Sequence, residues 1–168
     1  SQSEIDRQAG MEEAFKASGF TINAETVSAA DINLEGGLGL WDDLVIRKAE
    51  GELDYAMCAN STNALGCLAA SESAGRTDYK VFGIDDEVDQ LAALTKENSI
   101  YYATVAQNPF EIGVQAIEAA VHAVEGQDDG IVKVDGILVT RDTVQEYMAN
   151  REKSLEELKD YLAIITAS

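Results

Sequence analysis

Polar side chains that can bind hydroxyl groups follow the predicted strands of this sequence, at the point where each strand ends. Asn60, Asp85 and Gln107 each come directly after a predicted buried strand and before a predicted helix, and Asp31-Ile32 holds the same place after an earlier one. Because the carboxyl ends of parallel strands meet at one edge of a sheet, these residues should form a single rim. Carboxylates and amides hydrogen-bond to hydroxyls in pairs, which is the chemistry that a polyol ligand requires.

Helix capping is the structural alternative for most of these residues. Asn, Asp and Ser directly after a strand are common N-caps, so any one of them alone has a structural explanation. Gln107 differs because glutamine caps poorly and Asn108 already stands at the capping position, with Pro109 suited to the first helical turn. At this level, capping and ligand binding both stay open for Asn60 and Asp85.

The strands that would position this rim are short apolar segments bounded by turn residues. The stretch 55–59 reads as a strand buried on both faces, and Asn60 and Ser61 begin a helix directly after it. The full set of predicted strands is 20–27, 55–59, 79–84, 100–106, 131–134 and 137–139, with the last two on either side of the turn Asp135-Gly136.

Helices are predicted between these strands from apolar spacing and from capping residues. They cover residues 4–18, a segment capped by Asp31 and Asn33 that reaches residue 49, then 63–70, 86–94, 110–124 and a last helix from near Asp142 to at least Leu162. An apolar stripe along the last helix predicts packing against its own domain, and the alternatives are contact with a second copy or continuation into a downstream domain. The stripe consists of Met148, Leu155, Leu158, Leu162 and Ile165.

The order of elements predicts the fold class. Strands and helices alternate after an initial helix, which is typical of an α/β protein with right-handed crossovers. We therefore expect a three-layer αβα sandwich built on a mostly parallel sheet. Residues 1–148 would form this domain, and residues 149–168 would be a helical extension.

Charge and hydropathy limit the possible partners. The 168 residues include 12 Lys and Arg against 31 Asp and Glu, a formal net charge of −19. Such a surface repels phosphate backbones and anionic lipid, so neither nucleic acid nor a membrane surface is an expected partner of this segment. No apolar run approaches the roughly 20 residues of a membrane span. The chain opens in the middle of a pattern at Ser1, so we expect a piece of a longer protein.

No residue cluster predicts an enzyme, a metal site or a cofactor. Cys58 and Cys67 lack the spacing of a redox or zinc motif and are predicted to be buried free thiols, and His122 is the single histidine. The glycines at 36, 37 and 39 match no phosphate-binding loop. Asp85 has no second acid, nucleophile or metal set predicted beside it.

The chain resembles the C-terminal lobe of the type I periplasmic binding proteins, the ribose- and galactose-binding group, whose fold also serves lactose-repressor-type ligand domains. The similarity runs from about residue 5 to residue 148 with nearly constant spacing. The matching pieces are Arg7-x-x-Gly10-Met11-x-x-Ala14, Ala30-Asp31 with Gly37 and Leu44, Ala59-Asn60 with Ala64-Leu65-Gly66, Val81-Phe82-Gly83-Ile84-Asp85, Ala103-Thr104-Val105-Ala106-Gln107-x-Pro109-x-x-Ile112-Gly113 and Leu138-Val139-Thr140.

The resemblance implies ligand-contacting roles for particular residues. Asn60, Asp85 and Gln107 match positions that hydrogen-bond a sugar in this family. Ile5 stands where sugar binders often place an arginine, and Ile32 where they often place an aromatic that stacks on the ring. Ser61 replaces the aspartate that usually follows the asparagine. The polar rim residues of the family pattern are therefore present in this chain, whereas the neighbouring ligand-contacting positions are changed.

The resemblance also implies a function and a location. We expect a non-catalytic solute-binding lobe, with a sugar as its ligand class, that serves an ABC importer outside the cytoplasm. Its partners would be the ligand, an N-terminal lobe preceding Ser1 and the membrane permease. The alternative is the ligand-sensing domain of a transcriptional regulator or of a membrane sensor with the same fold.

Overall fold

The structure, a computed structural model, describes residues 1–19, 21–29 and 31–166, with the side chains of residues 157, 158 and 160–166 excepted. Two helices come first in this part of the chain, and strands and helices alternate after them. In order they are α1 Gln2–Ala17, α2 Leu34–Arg47, β1 Tyr55–Met57, α3 Ser61–Ala74, β2 Lys80–Ile84, α4 Val88–Thr95, β3 Tyr101–Ala106, α5 Pro109–Val124, β4 Ile137–Thr140 and α6 Val144–Thr166.

The described strands form one sheet in the order β1-β2-β3-β4. β1, β2 and β3 are parallel, and β4 runs antiparallel to β3. The α/β class and the mostly parallel sheet are thus confirmed. Because the first three strands share a direction, their carboxyl ends lie along the same edge. Asn60, Asp85 and Gln107 lie just beyond that edge, after β1, β2 and β3.

One face of the sheet carries the hydrophobic core. α3 contacts β2, α4 contacts β3, α6 contacts β4, and α2 packs on the outside of α3. The largest buried side chains of this core include Tyr101, Leu94, Val81, Val139 and Val144, each less than 2% exposed. These four helices and the inward side chains of the strands make the rigid body from which the rim projects.

α2 and α3 cross with their backbones in close approach. A Cβ atom added at Gly66 would lie 2.5 Å from the carbonyl carbon of Gly37, and one added at Gly37 would lie 2.6 Å from the carbonyl oxygen of Thr62. Only hydrogen fits at both positions. Asn33 caps α2, its side chain accepting a hydrogen bond from the amide of Gly36 at 2.7 Å. Gly37 of α2 and Gly66 of α3 therefore serve the packing of the two helices.

A buried polar pair stabilises the connection between α4 and the sheet. The Gln90 side chain donates to Tyr101 Oη at 2.9 Å and to the carbonyl of Ile84 at 3.0 Å. Burial raises the pKa of Tyr101 to about 12, so the phenol stays protonated at neutral pH. Gly83 leaves room for this phenol, since a side chain there would collide with Tyr101 Oη.

The opposite face of the sheet is only partly covered. Tyr55 and Met57 are exposed there, so the predicted burial of residues 55–59 on both faces is wrong. α1 faces this side through Met11 and Phe15 and encloses with the strands a cavity of about 520 Å³. We call the apolar surface made by the following residues the open face: Tyr55, Met57, Phe82, Tyr102, Val105 and Leu138.

The predicted strand at residues 20–27 is wrong for the part that the structure describes. Residues 21–29 pair with no described strand, and most of them are exposed. Val27 is partly buried against the core, but a single anchored side chain does not replace a hydrogen-bonded ladder. Phe20 lies outside the described residues. The sheet therefore begins at β1, and the first predicted strand–helix repeat is missing its strand.

The predicted strand at residues 131–134 is also wrong. Its expected partner, β4, pairs instead with β3, with Val105 opposite Leu138. Residues 131–134 have neither a ladder nor burial, and Ile131 is 89% exposed. The turn at residues 135–136 thus leads into β4 without forming a hairpin. β4 pairs with β3 because this longer strand supplies both hydrogen bonds and a buried neighbour.

The predicted terminal helix is confirmed as α6, which starts at Val144 and crosses the proposed boundary at residues 148–149. That boundary stays a prediction. Met148 packs against the core, whereas Leu155 is half-exposed. The side chains of Leu158, Leu162 and Ile165 lie outside the described ones. Among the described helices, none combines the length and apolarity needed to cross a bilayer.

The two cysteines are free and buried, as predicted. The neighbouring Cys67 thiol and burial together raise the pKa of Cys58 well above its usual value. Because the reactive species is the thiolate, this core position keeps Cys58 unreactive at neutral pH.

Candidate functional site

Asp85 is the best-anchored polar residue of the rim. It follows β2 with a positive φ of 82°, a left-handed conformation that is uncommon outside glycine. Its amide donates to the carbonyl of Val105 at 2.9 Å, and its own carbonyl accepts from Thr104 Oγ1 at 2.6 Å. These bonds hold the backbone in the strained conformation, which aims the carboxylate along the rim.

The Asp85 carboxylate connects two neighbouring strand ends. Its Oδ2 atom accepts from the backbone amide of Ser61, the first residue of α3, at 3.0 Å. Its Oδ1 atom accepts from the side-chain amide of Gln107, at the end of β3. Asp85 and Gln107 are therefore in direct contact, as their positions after neighbouring strands predict. The favourable end of the α3 dipole lies at one oxygen of the carboxylate.

Asn60 combines capping with a second contact. Its Oδ1 atom accepts from the amide of Asn63 at 3.0 Å and from Thr62 Oγ1 at 2.9 Å, so it caps α3. Its Nδ2 atom donates to Glu4 on α1 at 3.2 Å. The side chain is 9% exposed, and it reaches Asp85 only through Ser61 next to it. The capping explanation therefore holds for Asn60, with the amide nitrogen directed away from the α3 backbone.

A cavity of about 340 Å³ opens at the rim beside the Asp85–Gln107 pair. It is lined by acidic, amide and apolar groups, and Asn60 does not line it. The lining residues are Asp85, Asp86, Glu87, Gln107, Pro109 and Ile112. Three carboxylates around an open, solvated concavity provide hydrogen-bond acceptors for hydroxyl groups and repel anions.

Asp86 links this cavity to the terminal helix. Its Oδ2 atom accepts from Tyr147 Oη at 2.7 Å, and its backbone carbonyl accepts from Arg151 Nη1 at 2.7 Å. An ion pair of 3.4 Å joins the same guanidinium to the carboxylate. Burial and the Asp86 carboxylate raise the pKa of Tyr147 above its usual value, which keeps the phenol as a donor. The first turns of α6 are thus fixed to the rim.

Ile5 and Ile32 lie apart from the cavity. Ile5 on α1 is 61% exposed, Ile32 before α2 is 70% exposed, and neither lines the 340 Å³ concavity. The structure therefore brings Asp85 and Gln107 together and places Asn60 one residue from their network. It leaves the two isoleucines at the periphery of the rim, facing solvent.

Sequence reasoning missed three contributors to the rim. Glu4 binds the Asn60 amide from α1, the Ser61 amide binds Asp85, and Asp86 joins the cavity to α6. Asp86 could have been identified from the sequence, since it is a second acid at the same strand end as Asp85. Glu4 had none, because its partner lies 56 positions along the chain.

An α/β domain with this polar rim is of the ligand-binding kind that places its site at the carboxyl ends of parallel strands. A family model described as "Periplasmic binding protein domain" matches residues 1–128. The chain belongs to the periplasmic binding protein family, whose members here are non-catalytic solute-binding proteins.

Curated relatives are ribose import binding proteins. The one from Salmonella typhimurium is 30% identical over 122 residues, which cover 73% of this chain and 39% of the relative. The one from Bacillus subtilis strain 168 is 34% identical over 106 residues, 63% of this chain and 33% of the relative. The chain thus spans less than half the length of the curated relatives that it matches.

Solved structures show the same fold. A solute-binding protein of an ABC transporter from Bacillus halodurans, with bound myo-inositol, is 30% identical with a TM-score of 0.61, over 71% of this chain and 41% of that one. The arabinose-transporter binding protein from Shewanella sp. ANA-3 is 22% identical with a TM-score of 0.72, over 92% of this chain and 52% of that one. The resemblance seen in the sequence is confirmed.

Proposed function

We propose that this chain is one lobe of a sugar-binding receptor that delivers its ligand to an ABC importer. The observation that carries the proposal is the Asp85 carboxylate, held between the Ser61 amide and the Gln107 side chain beside an open cavity. A carboxylate fixed in this way loses little conformational entropy when a ligand binds, because it is already ordered. The relatives named as ribose import binding proteins support a sugar as the ligand class.

The hydrogen-bonding capacity of the rim fits a polyol. Each oxygen of Asp85 uses one described hydrogen bond, and a carboxylate has about four acceptor positions, so about two remain for sugar hydroxyls. Gln107 is exposed and keeps its carbonyl oxygen as an acceptor. Asn60 joins the site through its Nδ2 group if a ligand hydroxyl replaces Glu4. Ile5 and Ile32 would contact apolar ring faces.

A second lobe completes the cleft in this proposal. The N-terminal lobe would precede Ser1, and ligand would close the hinge between the lobes, with the closed form recognised by the permease. The family supports an extracytoplasmic location for the working receptor. The net charge of −19 supports the absence of nucleic acid among the partners of this segment.

Amide chemical shifts of the chain, recorded while pentoses, hexoses and cyclitols are added at millimolar concentrations, test the site. The proposal expects shifts at Ser61, Asp85 and Gln107 that saturate with one member of the panel. Asp85→Asn should abolish them, since it removes the charged acceptor and leaves the fold intact. Asp89→Asn, an equal charge change at an exposed position of α4, should not. Saturable shifts confined to other residues would contradict the assignment.

A sensor or regulator remains the second candidate because α6 is fixed to the rim through Asp86. A helix that touches the ligand cavity can transmit binding to a domain that follows it. The parent gene separates the two functions. A secretion signal upstream favours the receptor, whereas an upstream helix-turn-helix or a downstream catalytic domain favours regulation.

A further inference from the structure

β3 carries one extra residue where it pairs with β2. Val81 of β2 lies opposite Tyr101, and the next residue of β2 lies opposite Ala103. Because side chains alternate between the two faces of a strand, one extra residue reverses the face of every side chain that follows. Tyr101 and Thr104 are accordingly both buried, at 0% and 1% exposed, although a regular strand would place residues three apart on opposite faces. The extra residue therefore turns Thr104 toward the core.

The Thr104 hydroxyl holds the peptide group that follows Asp85. It donates to the Asp85 carbonyl oxygen at 2.6 Å, which is the one described hydrogen bond to this peptide group. The peptide group between Ile84 and Asp85 is held twice. Its amide donates to the Val105 carbonyl at 2.9 Å, and its carbonyl accepts from Gln90 Nε2 at 3.0 Å. Among the described residues, Thr104 is thus the single anchor on the far side of the φ and ψ angles of Asp85.

Asp85 needs this anchor because its backbone is in the left-handed region, with a φ of 82°. A residue other than glycine is strained there, although aspartate tolerates the conformation better than most. In this conformation the carboxylate accepts from the Ser61 amide at 3.0 Å and from the Gln107 side chain, so it joins two strand ends. Without the Thr104 hydrogen bond, rotation to a negative φ relieves the strain and moves the carboxylate away from both partners.

We propose that Thr104 is a positioning residue of the ligand site, which fixes the Asp85 carboxylate at the rim without contacting the ligand. Thr104 is 1% exposed and lies outside the lining of the 340 Å³ cavity. Its effect on ligand binding rests on the proposed sugar-binding function, whereas its control of the Asp85 conformation does not. The extra residue of β3 brings the hydroxyl to Asp85, so this irregularity of the strand serves the rim.

NMR spectroscopy of the ligand-free chain tests the conformational step. At positive φ the amide and Hα protons of one residue lie close together, so Asp85 should show a strong intraresidue NOE in the parent chain. In Thr104→Val this NOE should weaken and the Ser61 amide shift should move, because valine lacks the hydroxyl. Thr104→Ser keeps the hydroxyl and should restore both signals. A strong Asp85 NOE with an unchanged Ser61 shift in Thr104→Val would overturn the proposal.

Two further variants separate the hydroxyl from packing and from stability. Thr104→Ala also lacks the hydroxyl but adds no methyl group against the Asp85 carbonyl, and it should behave as Thr104→Val does. Ser71→Ala is the matched control, because it removes a hydroxyl that is equally buried and donates to the Cys67 carbonyl at 2.6 Å in the core. Its Asp85 signals should match those of the parent chain. Equal changes in Ser71→Ala would show that the loss of any buried hydroxyl disturbs the rim, which contradicts a specific role of Thr104.

Ligand titration tests the effect on binding. We expect Thr104→Val to raise the dissociation constant of a sugar that binds the parent chain by about tenfold, as when the fraction of chains with a correctly placed carboxylate falls to about a tenth. Thr104→Ser and Ser71→Ala should stay within about twofold of the parent chain. Equal affinities of Thr104→Val and the parent chain would contradict the positioning role. If no sugar of the panel binds the parent chain, the proposed function fails, and the ligand-free spectra still decide whether Thr104 sets the Asp85 conformation.

Discussion

Tyr147 Oη donates a hydrogen bond of 2.7 Å to Oδ2 of Asp86, which joins α6 to the rim across 61 positions of sequence. Arg151 adds a second contact to the same residue one turn later. The position of Asp86 at the cavity thus depends on a helix outside the strand–helix units. Any motion of α6 relative to the sheet would therefore displace Asp86 at the rim.

Tyr147→Phe should lower the free energy of unfolding by about 0.5–1.5 kcal/mol, the net value of one hydrogen bond. Urea unfolding of Tyr147→Phe, Asp86→Ala and the double variant measures this pair directly. The double variant should lose less than the sum of the single ones because both remove the same contact. Additive losses would mean that the Tyr147 hydroxyl and Asp86 act independently.

The phenol also makes a prediction about alkaline pH. Because burial and Asp86 raise the pKa of Tyr147 in the folded state, the unfolded phenol ionises first, near its ordinary pKa of about 10. The contribution of the protonated Tyr147 to the free energy of unfolding is complete below pH about 10 and is lost as pH rises above it. In Tyr147→Phe, the fall in unfolding free energy above pH about 10 should be smaller than in the parent chain. If the unfolding free energy fell equally in both proteins, the alkaline loss of stability would come from other groups than Tyr147.

Arg76 and Asp78 form a second conspicuous pair, which should control acid stability. Arg76 contacts Asp78 through Nε at 2.6 Å and Nη2 at 2.9 Å, and it also donates to the carbonyls of Val45 and Lys48 at the end of α2. This guanidinium is the main cause that holds the pKa of Asp78 well below its usual range. The stabilisation is present above the unfolded pKa of about 3.9 and is lost as pH falls below it.

Asp78→Asn should therefore reduce stability at neutral pH by about 1–3 kcal/mol, since it leaves the Arg76 charge largely unpaired. The same variant should lose less stability than the parent between pH about 6 and about 3. Thermal unfolding at both pH values gives the comparison. Equal acid sensitivity in the two proteins would show that other carboxyl groups dominate.

The crossing of α2 and α3 gives a test with a matched control. Gly66→Ala places a methyl group against the backbone of Gly37, so we expect a loss of about 1–3 kcal/mol from overpacking. Gly39→Ala lies in α2 with no atom within 4 Å of the added Cβ, and it should be neutral or stabilising by up to about 1 kcal/mol. Equal effects of the two substitutions would contradict the close approach.

The fold class and the central rim pair were predictable because they depend on local patterns. Asp85 and Gln107 follow apolar runs whose strands are neighbours, so the parallel sheet brings them together. The strands at 20–27 and 131–134 were predicted wrongly because apolar composition does not say whether a partner edge is available. Ile131 has suitable chemistry for a strand and is 89% exposed, since β4 pairs with β3.

Contacts over long sequence separations could not be predicted. The amphipathic pattern of α5 was correct as a helix, but periodicity alone does not identify the surface that its apolar side covers. The bond between Glu4 and Asn60 and the bond between Tyr147 and Asp86 join residues more than 50 positions apart, with no local signal on either side. Asn60 illustrates a further limit, because one asparagine can both cap a helix and offer a donor.

Affinity provides the final prediction, since the proposed cleft has one lobe here. Cleft ligands normally bury about 70–90% of their surface, and roughly half of that would fall to each lobe. Association still costs at least about 4 kcal/mol, which half the contacts must overcome. We therefore expect a dissociation constant of about 1 mM or weaker for the chain alone, equivalent to roughly −4 kcal/mol. Calorimetry against the sugar panel measures it. A micromolar constant would show that this lobe is sufficient by itself, because the Asp85 network would then bind tightly without hinge closure.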